Sequence, residues 1–281
     1  MISSDDLERI ARVEHAEPHL VLGPHAEDHG LTIRVFRPDA SEVRIFPDAG
    51  LPPRTATRIH PAGIFEARYP ETTSPFRYKV EVRSPGGVFT IRDPYAFSPV
   101  LGDVDYHLFA EGTHEQIYRH LGAHVREVDG VRGTSFAVWA PHASRVSVAG
   151  DFNAWDGRLH AMRRGGSGVW EIFLPDVGHG ALYKFEIRSS RGLVVMKADP
   201  FGSAMELRPN NASKVYERSY VFTDDAWIDA RAKSDRVARP VSIYEVHLGS
   251  WKHAHRPDAA PSTDPAASFM TYREQVGRAH V

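Results

Sequence analysis

The amino-acid sequence predicts an all-β protein in which one kind of antiparallel sandwich occurs twice in tandem. Two observations favour this class: an internal repeat, and short runs of alternating apolar and polar residues separated by turn signals. Residues 30–43 read like residues 133–146, at an offset of about 103 residues. Further along, Tyr78 matches Tyr183, and residues 93–95 match residues 199–201. Two copies of one domain are the simplest explanation.

The strands are predicted from a periodicity of two residues. In residues 76–82, aromatic and β-branched residues alternate with charged ones, and residues 183–188 repeat the pattern. This alternation is typical of strands with one buried face. Turn signals at residues 48–50, 84–87, 150–153 and 156–157 separate the runs. Each copy is therefore expected to be an immunoglobulin-like sandwich, and a parallel α/β fold is disfavoured because no helical pattern separates the strands.

A few short helices accompany the two tandem sandwich domains in this prediction. The first helix has Ser4 as its N-cap, and the third lies around residues 269–276. The second is predicted from the capping-box spacing of Thr113 and Gln116 and ends near Gly122. The expected domains are a first sandwich in 1–112, a linker helix in 113–128, a second sandwich in 129–235 and a last segment in 236–281. Within that segment, residues 253–267 are expected to form an exposed loop.

Composition and charge exclude several classes of partner. Lys and Arg number 34 against 36 Asp and Glu, a net charge of −2, so no basic field is expected to hold nucleic acid or an anionic membrane. No stretch approaches the roughly 20 apolar residues of a membrane helix. The first ten residues lack the basic start and apolar run of a signal peptide, which predicts a cytoplasmic location.

Neither a metal nor a cofactor is expected. The chain has no cysteine, which excludes disulfides, zinc–thiolate sites and cysteine nucleophiles. His253 and His255 alternate in the predicted loop without a convergent carboxylate, so they do not indicate a dedicated metal site. No glycine-rich phosphate loop follows a predicted strand.

The segments that join and follow the two copies carry distinctive motifs. Residues 93–97, 109–113 and 121–124 surround the linker, residues 136–141 and 148–157 contain Trp-Ala-Pro and Gly-Asp-Phe-Asn-x-Trp, and residues 242–251 read Ser-Ile-Tyr-Glu-Val-His-Leu-Gly-Ser-Trp. Together they resemble the N-terminal region of bacterial glycogen (1,4-alpha-glucan) branching enzymes of the alpha-amylase superfamily, from about residue 20 to about residue 275. The two tryptophan motifs by themselves also resemble debranching and trehalose-forming enzymes.

The resemblance implies a non-catalytic, glucan-binding and scaffolding region that precedes a catalytic (β/α) barrel. Residues 242–251 are similar to the first strand of that barrel, truncated here. The family's enzymes cleave an α-1,4 linkage and transfer the chain to a 6-hydroxyl group, which makes α-1,6 branches. Their two catalytic carboxylates lie on later barrel strands. No catalytic residue is therefore expected in these 281 residues, and the chain by itself is expected to be inactive.

Four residues are candidate carbohydrate-binding residues on this resemblance: Trp155, Lys184, Asn210 and Asn211. Their ligand would be an α-glucan such as glycogen, amylose or maltooligosaccharides. The alternatives are that Trp155 packs against the barrel or the other sandwich, that Lys184 is a solvated charge, and that the asparagines form a turn. Met196 stands where the family implies a second stacking tryptophan.

The remaining aromatic residues are predicted to have structural roles. Residues 46–50 replace the Asn-x-Trp turn in the first copy, which is therefore expected to be structural. Trp139 and Trp170 fall within apolar strand patterns and are expected in the core.

Three functions compete at this point. In the first, the chain is part of a branching enzyme whose sandwiches hold glucan and contact its own catalytic barrel. In the second, it is a stand-alone glycogen-binding protein. In the third, it is a scaffold that packs on the barrel without touching sugar. Residues 244–251 favour the first over the second, because a stand-alone binding module has no use for the barrel strand that they resemble.

Overall fold

The computed structural model describes residues 2–48, 50–235, 237–238, 240, 242–247, 251–254 and 268–276. The chain divides into two compact units, Met1–Ser219 and Tyr220–Val281. All strands in the described residues lie in the larger unit, and every pair of neighbouring strands is antiparallel. The all-β prediction is confirmed.

The first sandwich consists of two four-stranded sheets, ordered β1-β2-β6-β5 and β4-β3-β7-β8. The predicted alternation is present in β7, where Val80 and Val82 are fully buried and Lys79 is exposed. The strands are β1 Gly23–Glu27, β2 Gly30–Phe36, β3 Glu42–Pro47, β4 Arg54–Thr55, β5 Thr57–His60, β6 Ile64–Tyr69, β7 Tyr78–Ser84 and β8 Gly87–Arg92.

The second sandwich repeats this arrangement with sheets ordered β12-β13-β10-β9 and β11-β14-β17-β16, with β15 added to β14. Its core is aromatic, because Phe136, Trp170, Tyr183 and Phe185 are all fully buried. The strands are β9 Gly122–Val128, β10 Val131–Trp139, β11 Ala143–Gly150, β12 Arg163–Arg164, β13 Val169–Pro175, β14 Leu182–Ser189, β15 Val194–Lys197, β16 Ala204–Met205 and β17 Ser213–Lys214.

A buried tyrosine–aspartate pair explains the most similar part of the repeat. In the first sandwich the Tyr78 hydroxyl donates to Asp93 Oδ2 at 2.7 Å. In the second, the Tyr183 hydroxyl donates to Asp199 Oδ2 at 2.5 Å. Each aspartate also accepts a backbone N–H two residues further along the chain. Tyr78 and Tyr183 lie at the start of β7 and β14, so this strand begins with the same buried anchor in both copies. A buried carboxylate requires such partners.

One buried apolar cluster spans both sandwiches, and a second cluster lies within the first sandwich alone. Phe36, Ile64 and Tyr95 of the first sandwich belong to the same buried cluster as Val138 and Trp170 of the second. The Tyr95 hydroxyl donates to the carbonyl of Ala161 at 3.3 Å. Continuous apolar packing of this kind holds the two sandwiches in a fixed relation.

The helices differ from the prediction in position. Helix α1 spans Ser4–Ala11, and its N-cap is Ser3, whose hydroxyl accepts the Asp6 N–H at 3.1 Å. The predicted linker helix in 113–128 is wrong. Helix α2 spans Asp103–Glu111 and ends at Gly112 in the left-handed conformation, residues 117–119 form one 3₁₀ turn, and residues 122–128 form strand β9. Pairing of β9 with the core strand β10 overrides the weak local capping signal.

The smaller unit holds helix α3 Asp225–Ala232 and helix α4 Tyr272–Val276, and α4 agrees with the short helix predicted around residues 269–276. The first barrel strand was predicted over residues 242–251. Of these, residues 242–247 and 251 are described, and they take part in no strand. The predicted loop from residue 255 to 267, with His255, lies outside the described residues. None of the helices in the described ranges is long and apolar enough to cross a membrane.

Candidate functional site

The turn that carries Trp155 follows strand β11 directly. Strand β11 ends at Gly150, and a 3₁₀ turn of residues 151–153 comes next. The buried Asn153 side chain accepts the Gly150 N–H at 2.9 Å and donates to the Val148 carbonyl at 2.9 Å. Its amide thus provides hydrogen-bond partners for backbone groups that have no ladder partner at the end of the strand.

Two consecutive residues of this turn have left-handed backbone conformations. Ala154 has φ 52° and Trp155 has φ 62°, and each such non-glycine residue costs roughly 1 kcal/mol or more. The Trp155 N–H donates to the Gly150 carbonyl at 2.8 Å, which closes the turn. The strain is offset by the Asn153 bonds, and the result is a fixed backbone under an indole that is 39% exposed.

Lys184 lies at the same end of this sheet. It belongs to β14. The residue before it, Tyr183, pairs with Gly150, where the Trp155 turn begins. The Lys184 ammonium donates to Asn211 Oδ1 at 2.5 Å. The structure therefore brings Trp155, Lys184 and Asn211 to one end of the β11–β14–β17 sheet.

Asn210 has a different position from the other three candidates. Its side-chain amide donates to Glu206 Oε1 at 3.2 Å, and the Ala212 N–H donates to Glu206 Oε2 at 3.0 Å. Glu206 thus closes the loop between β16 and β17. This geometry favours the turn role for Asn210.

Sequence reasoning missed Glu186 and Arg145, which lie on the same face of the sheet as Lys184. Arg145 donates to Glu186 at 2.5 Å, and Glu186 pairs across the ladder with Met196, which is 40% exposed. A Cβ placed on Gly157 would lie 2.8 Å from the Glu186 carboxylate, so the Trp155 turn runs directly over this pair. The alternation that placed Lys184 outward also applies to Glu186, two residues on, and could have identified it.

Trp139 was expected in the core, and this prediction is wrong. Trp139 is 55% exposed, whereas Trp170 is fully buried as predicted. Trp139 ends β10 on the face opposite the core, where its indole N–H donates to the Ser167 carbonyl at 3.0 Å and its ring meets Phe109 of α2 edge-on at 6.0 Å. The neighbouring Val138 takes the buried position, as strand alternation requires.

The charged groups near the turn have definite ionisation states. Hydrogen bonds from Arg158 hold the pKa of Asp156 below its usual value, so this carboxylate is charged at neutral pH. Burial lowers the pKa of His160 to about 3, so its ring is neutral and can accept the Asn153 amide at 2.9 Å. An exposed ring beside ammonium, amide and carboxylate groups can bind a polyhydroxylated ligand without covalent chemistry.

One group in the described residues has the composition of a metal site. The ligand atoms of Asp105, His114 and His120 lie within 4.8 Å of one another. Asp105 also accepts the Gly102 N–H at the start of α2 and contacts the His114 Nε2 at 3.2 Å. These bonds explain the cluster without a metal, because Asp105 caps the N-terminus of α2 and His114 contacts that same carboxylate. His253, which the sequence did not indicate as a metal ligand, contacts the Ser268 hydroxyl at 2.8 Å.

Comparison with protein families matches both sandwiches. Residues 3–95 match the family described as alpha-1,4-glucan branching enzyme GlgB, N-terminal domain. Residues 120–202 match carbohydrate-binding module 48, the isoamylase N-terminal domain. The Trp155 turn, Lys184 and strands β9 to β15 fall within the second match.

Curated relatives cover almost the whole chain. The 1,4-alpha-glucan branching enzyme GlgB of Myxococcus xanthus (strain DK1622) is 48% identical over 98% of this chain and 38% of its own length. Its counterparts in Rubrobacter xylanophilus and Paramagnetospirillum magneticum are 46% and 47% identical over 95% and 99% of this chain, and 37% of their own length in both cases. The chain thus spans less than two fifths of these relatives.

Solved structures give a weaker likeness. A pullulanase from Anoxybacillus sp. LM18-11 matches 69% of this chain and 27% of its own, with 16% identity and a TM-score of 0.31. A likeness of that size supports no conclusion about function. The two family matches and the curated relatives establish that the chain belongs to the bacterial 1,4-alpha-glucan branching enzyme (GlgB) family and corresponds to the N-terminal part of its members.

Proposed function

We propose that the second sandwich binds α-glucan, with Trp155 as a stacking platform and Lys184 and Asn211 as hydrogen-bonding groups. The observation that carries this proposal is the exposed indole on a strained turn that hydrogen bonds hold in place, at the sheet end where Lys184 and Asn211 meet. A pyranose ring presents a face of C–H groups to an indole and hydroxyl groups to its edges. Ammonium donors and amide groups can bind those hydroxyl groups.

The expected affinity is low. Trp155 is 39% exposed, which for a tryptophan leaves about 100 Å² of surface. Covering that surface at about 25 cal/mol per Å² contributes roughly 2.5 kcal/mol. Association costs exceed this gain unless the hydrogen bonds add to it, so binding of a short oligosaccharide is expected to be around millimolar.

In the whole enzyme this region would hold glucan beside a catalytic barrel. Weak contacts suffice there, because a tethered chain is present at a high local concentration. The barrel would cleave α-1,4 linkages and form α-1,6 branches, and the present chain would contribute binding without chemistry. The cytoplasmic location stays a prediction.

The alternatives differ in their support. A stand-alone glycogen-binding protein, or part of a debranching or trehalose-forming enzyme, does not account for the match of residues 3–95 to the branching-enzyme N-terminal domain. A scaffold that packs on the barrel would cover the same exposed indole with protein, so the experiment below has to separate it from glucan binding.

Affinity electrophoresis in gels that contain glycogen tests the proposal. The wild-type chain is expected to be retarded, and Trp155→Ala is expected to lose most of the retardation. Trp139→Ala is the matched control, since Trp139 is exposed on the other sheet of the same sandwich. Equal migration of the wild type and Trp155→Ala at all glycogen concentrations would favour the scaffold.

A further inference from the structure

A cleft of about 540 Å³ lies between the two sandwiches. One wall is β8, the edge strand of the first sandwich. The other wall is formed by side chains from the turn after β11 and by the end of β13 with the two residues that follow it: Phe152, Asn153, Ala154, Asp156, Leu159, His160 and residues 174–177. The volume lies within the range of roughly 300–1,000 Å³ that is typical of ligand sites, and the shared core fixes the distance between the walls.

Paired charges line this cleft. Arg37 donates twice to Asp39, at 3.0 and 2.7 Å. Arg92 of β8 donates twice to Asp176 of the second sandwich, at 2.8 and 2.7 Å, and so links the two walls. The third carboxylate, Asp156, is held by Arg158. Because each carboxylate has its own guanidinium group, the cleft favours a neutral, hydroxyl-rich ligand over an ion.

Phe89 gives the cleft an aromatic surface. It lies on β8 and is 38% exposed, nearly the same fraction as Trp155. The Arg37 guanidinium lies 5.2 Å from the ring centroid, which orients the ring. The first sandwich therefore has an exposed aromatic ring at the cleft, on β8 and not on residues 46–50, which correspond to the Trp155 turn.

The cleft is continuous with the Trp155 turn. Ala154 and Asp156, the two neighbours of Trp155, both line it. On its other side the turn lies over Glu186, in the strand that carries Lys184. The turn is thus a narrow ridge between the proposed glucan site and the cleft.

We propose that the cleft binds the continuation of an α-1,4-glucan chain that stacks on Trp155, with Phe89 as the second platform. This inference rests on the function proposed above and extends it to the first sandwich. Hydroxyl groups of the sugar would bind the arginine–carboxylate pairs and the free backbone edge of β8. A chain too short to cross the ridge would occupy only the Trp155 side.

Calorimetric titration with maltotriose and maltoheptaose tests this inference. The wild type is expected to bind maltoheptaose more tightly than maltotriose. Phe89→Ala is expected to weaken maltoheptaose binding roughly fivefold to tenfold and to leave maltotriose binding unchanged, whereas Trp155→Ala weakens both. Val88→Ala is the control, because Val88 is the exposed neighbour of Phe89 on β8 and does not line the cleft.

A second variant separates stacking from folding. Phe89→Tyr keeps the ring and is expected to retain the preference for the longer sugar. If Phe89→Ala binds maltoheptaose as the wild type does while Trp155→Ala does not, the cleft proposal is overturned and the Trp155 site remains. If the wild type binds neither sugar, both proposals fail.

Discussion

The buried carboxyl of Asp93 should make the stability of the first sandwich depend on pH. Asp93 is 3% exposed and accepts the Tyr78 hydroxyl at 2.7 Å and the Tyr95 N–H at 3.0 Å. Burial outweighs these bonds and raises the pKa of Asp93 to about 6, against an ordinary value of 3.8. The folded state therefore holds this proton over a pH range in which the unfolded state has released it.

The sign follows from linkage. Since the folded-state pKa is the higher one, the contribution of the proton to stability is complete below about pH 4. It is lost as the pH rises through 6. The difference between the two pKa values corresponds to roughly 3 kcal/mol. His19 and His160, whose pKa values desolvation lowers to about 3, act in the opposite direction in acid.

The Asp93→Asn variant isolates this contribution, because an amide resembles a carboxyl group that stays uncharged at every pH. Urea unfolding at pH 4, 5, 6 and 7 should show the variant gaining stability relative to the wild type as the pH rises, by up to about 3 kcal/mol. Asp28→Asn, at an exposed position, is the control and should run parallel to the wild type. Parallel profiles for Asp93→Asn and the wild type would refute the reasoning.

Two further predictions concern the turn and the chemistry. Asn153→Ala removes the hydrogen bonds to Gly150, Val148 and His160. It should lower the free energy of unfolding in urea by about 1–3 kcal/mol and reduce retardation in glycogen gels although Trp155 is unchanged. Undiminished retardation would contradict the supporting role of Asn153. The purified 281-residue chain should leave iodine-stained amylose unaltered and form no α-1,6 linkages, and reproducible loss of colour with new branch points would contradict the assignment of binding without catalysis.

Strand alternation and the internal repeat predicted most of the fold. Val80 and Phe185 are buried as predicted, because a period-two pattern of apolar residues indicates which face of a strand is covered. The structure of the linker could not be predicted from periodicity, because residues 122–128 form β9 only through pairing with β10. Trp139 shows the same limit, since an apolar residue at the end of a strand can face a helix that the sequence pattern did not place.

The site could be predicted only as far as local motifs extend. The Asn-Ala-Trp-Asp turn identified Trp155, and alternation placed Lys184 outward. The contact between Lys184 and Asn211 joins β14 to the loop before β17, and these two segments are far apart in sequence, so only the fold shows it. The cleft beside Phe89 depends on how two complete sandwiches pack, which no motif within either one specifies.

The most direct measurement is the response of the tryptophan indole N–H signals in a ¹H–¹⁵N NMR spectrum to added maltoheptaose. The chain has only five tryptophans, so each signal can be assigned by substitution. The account predicts that the Trp155 signal shifts in a saturable manner while that of the fully buried Trp170 stays in place. A Trp155 signal that does not move at millimolar sugar, or movement confined to Trp139, would contradict it.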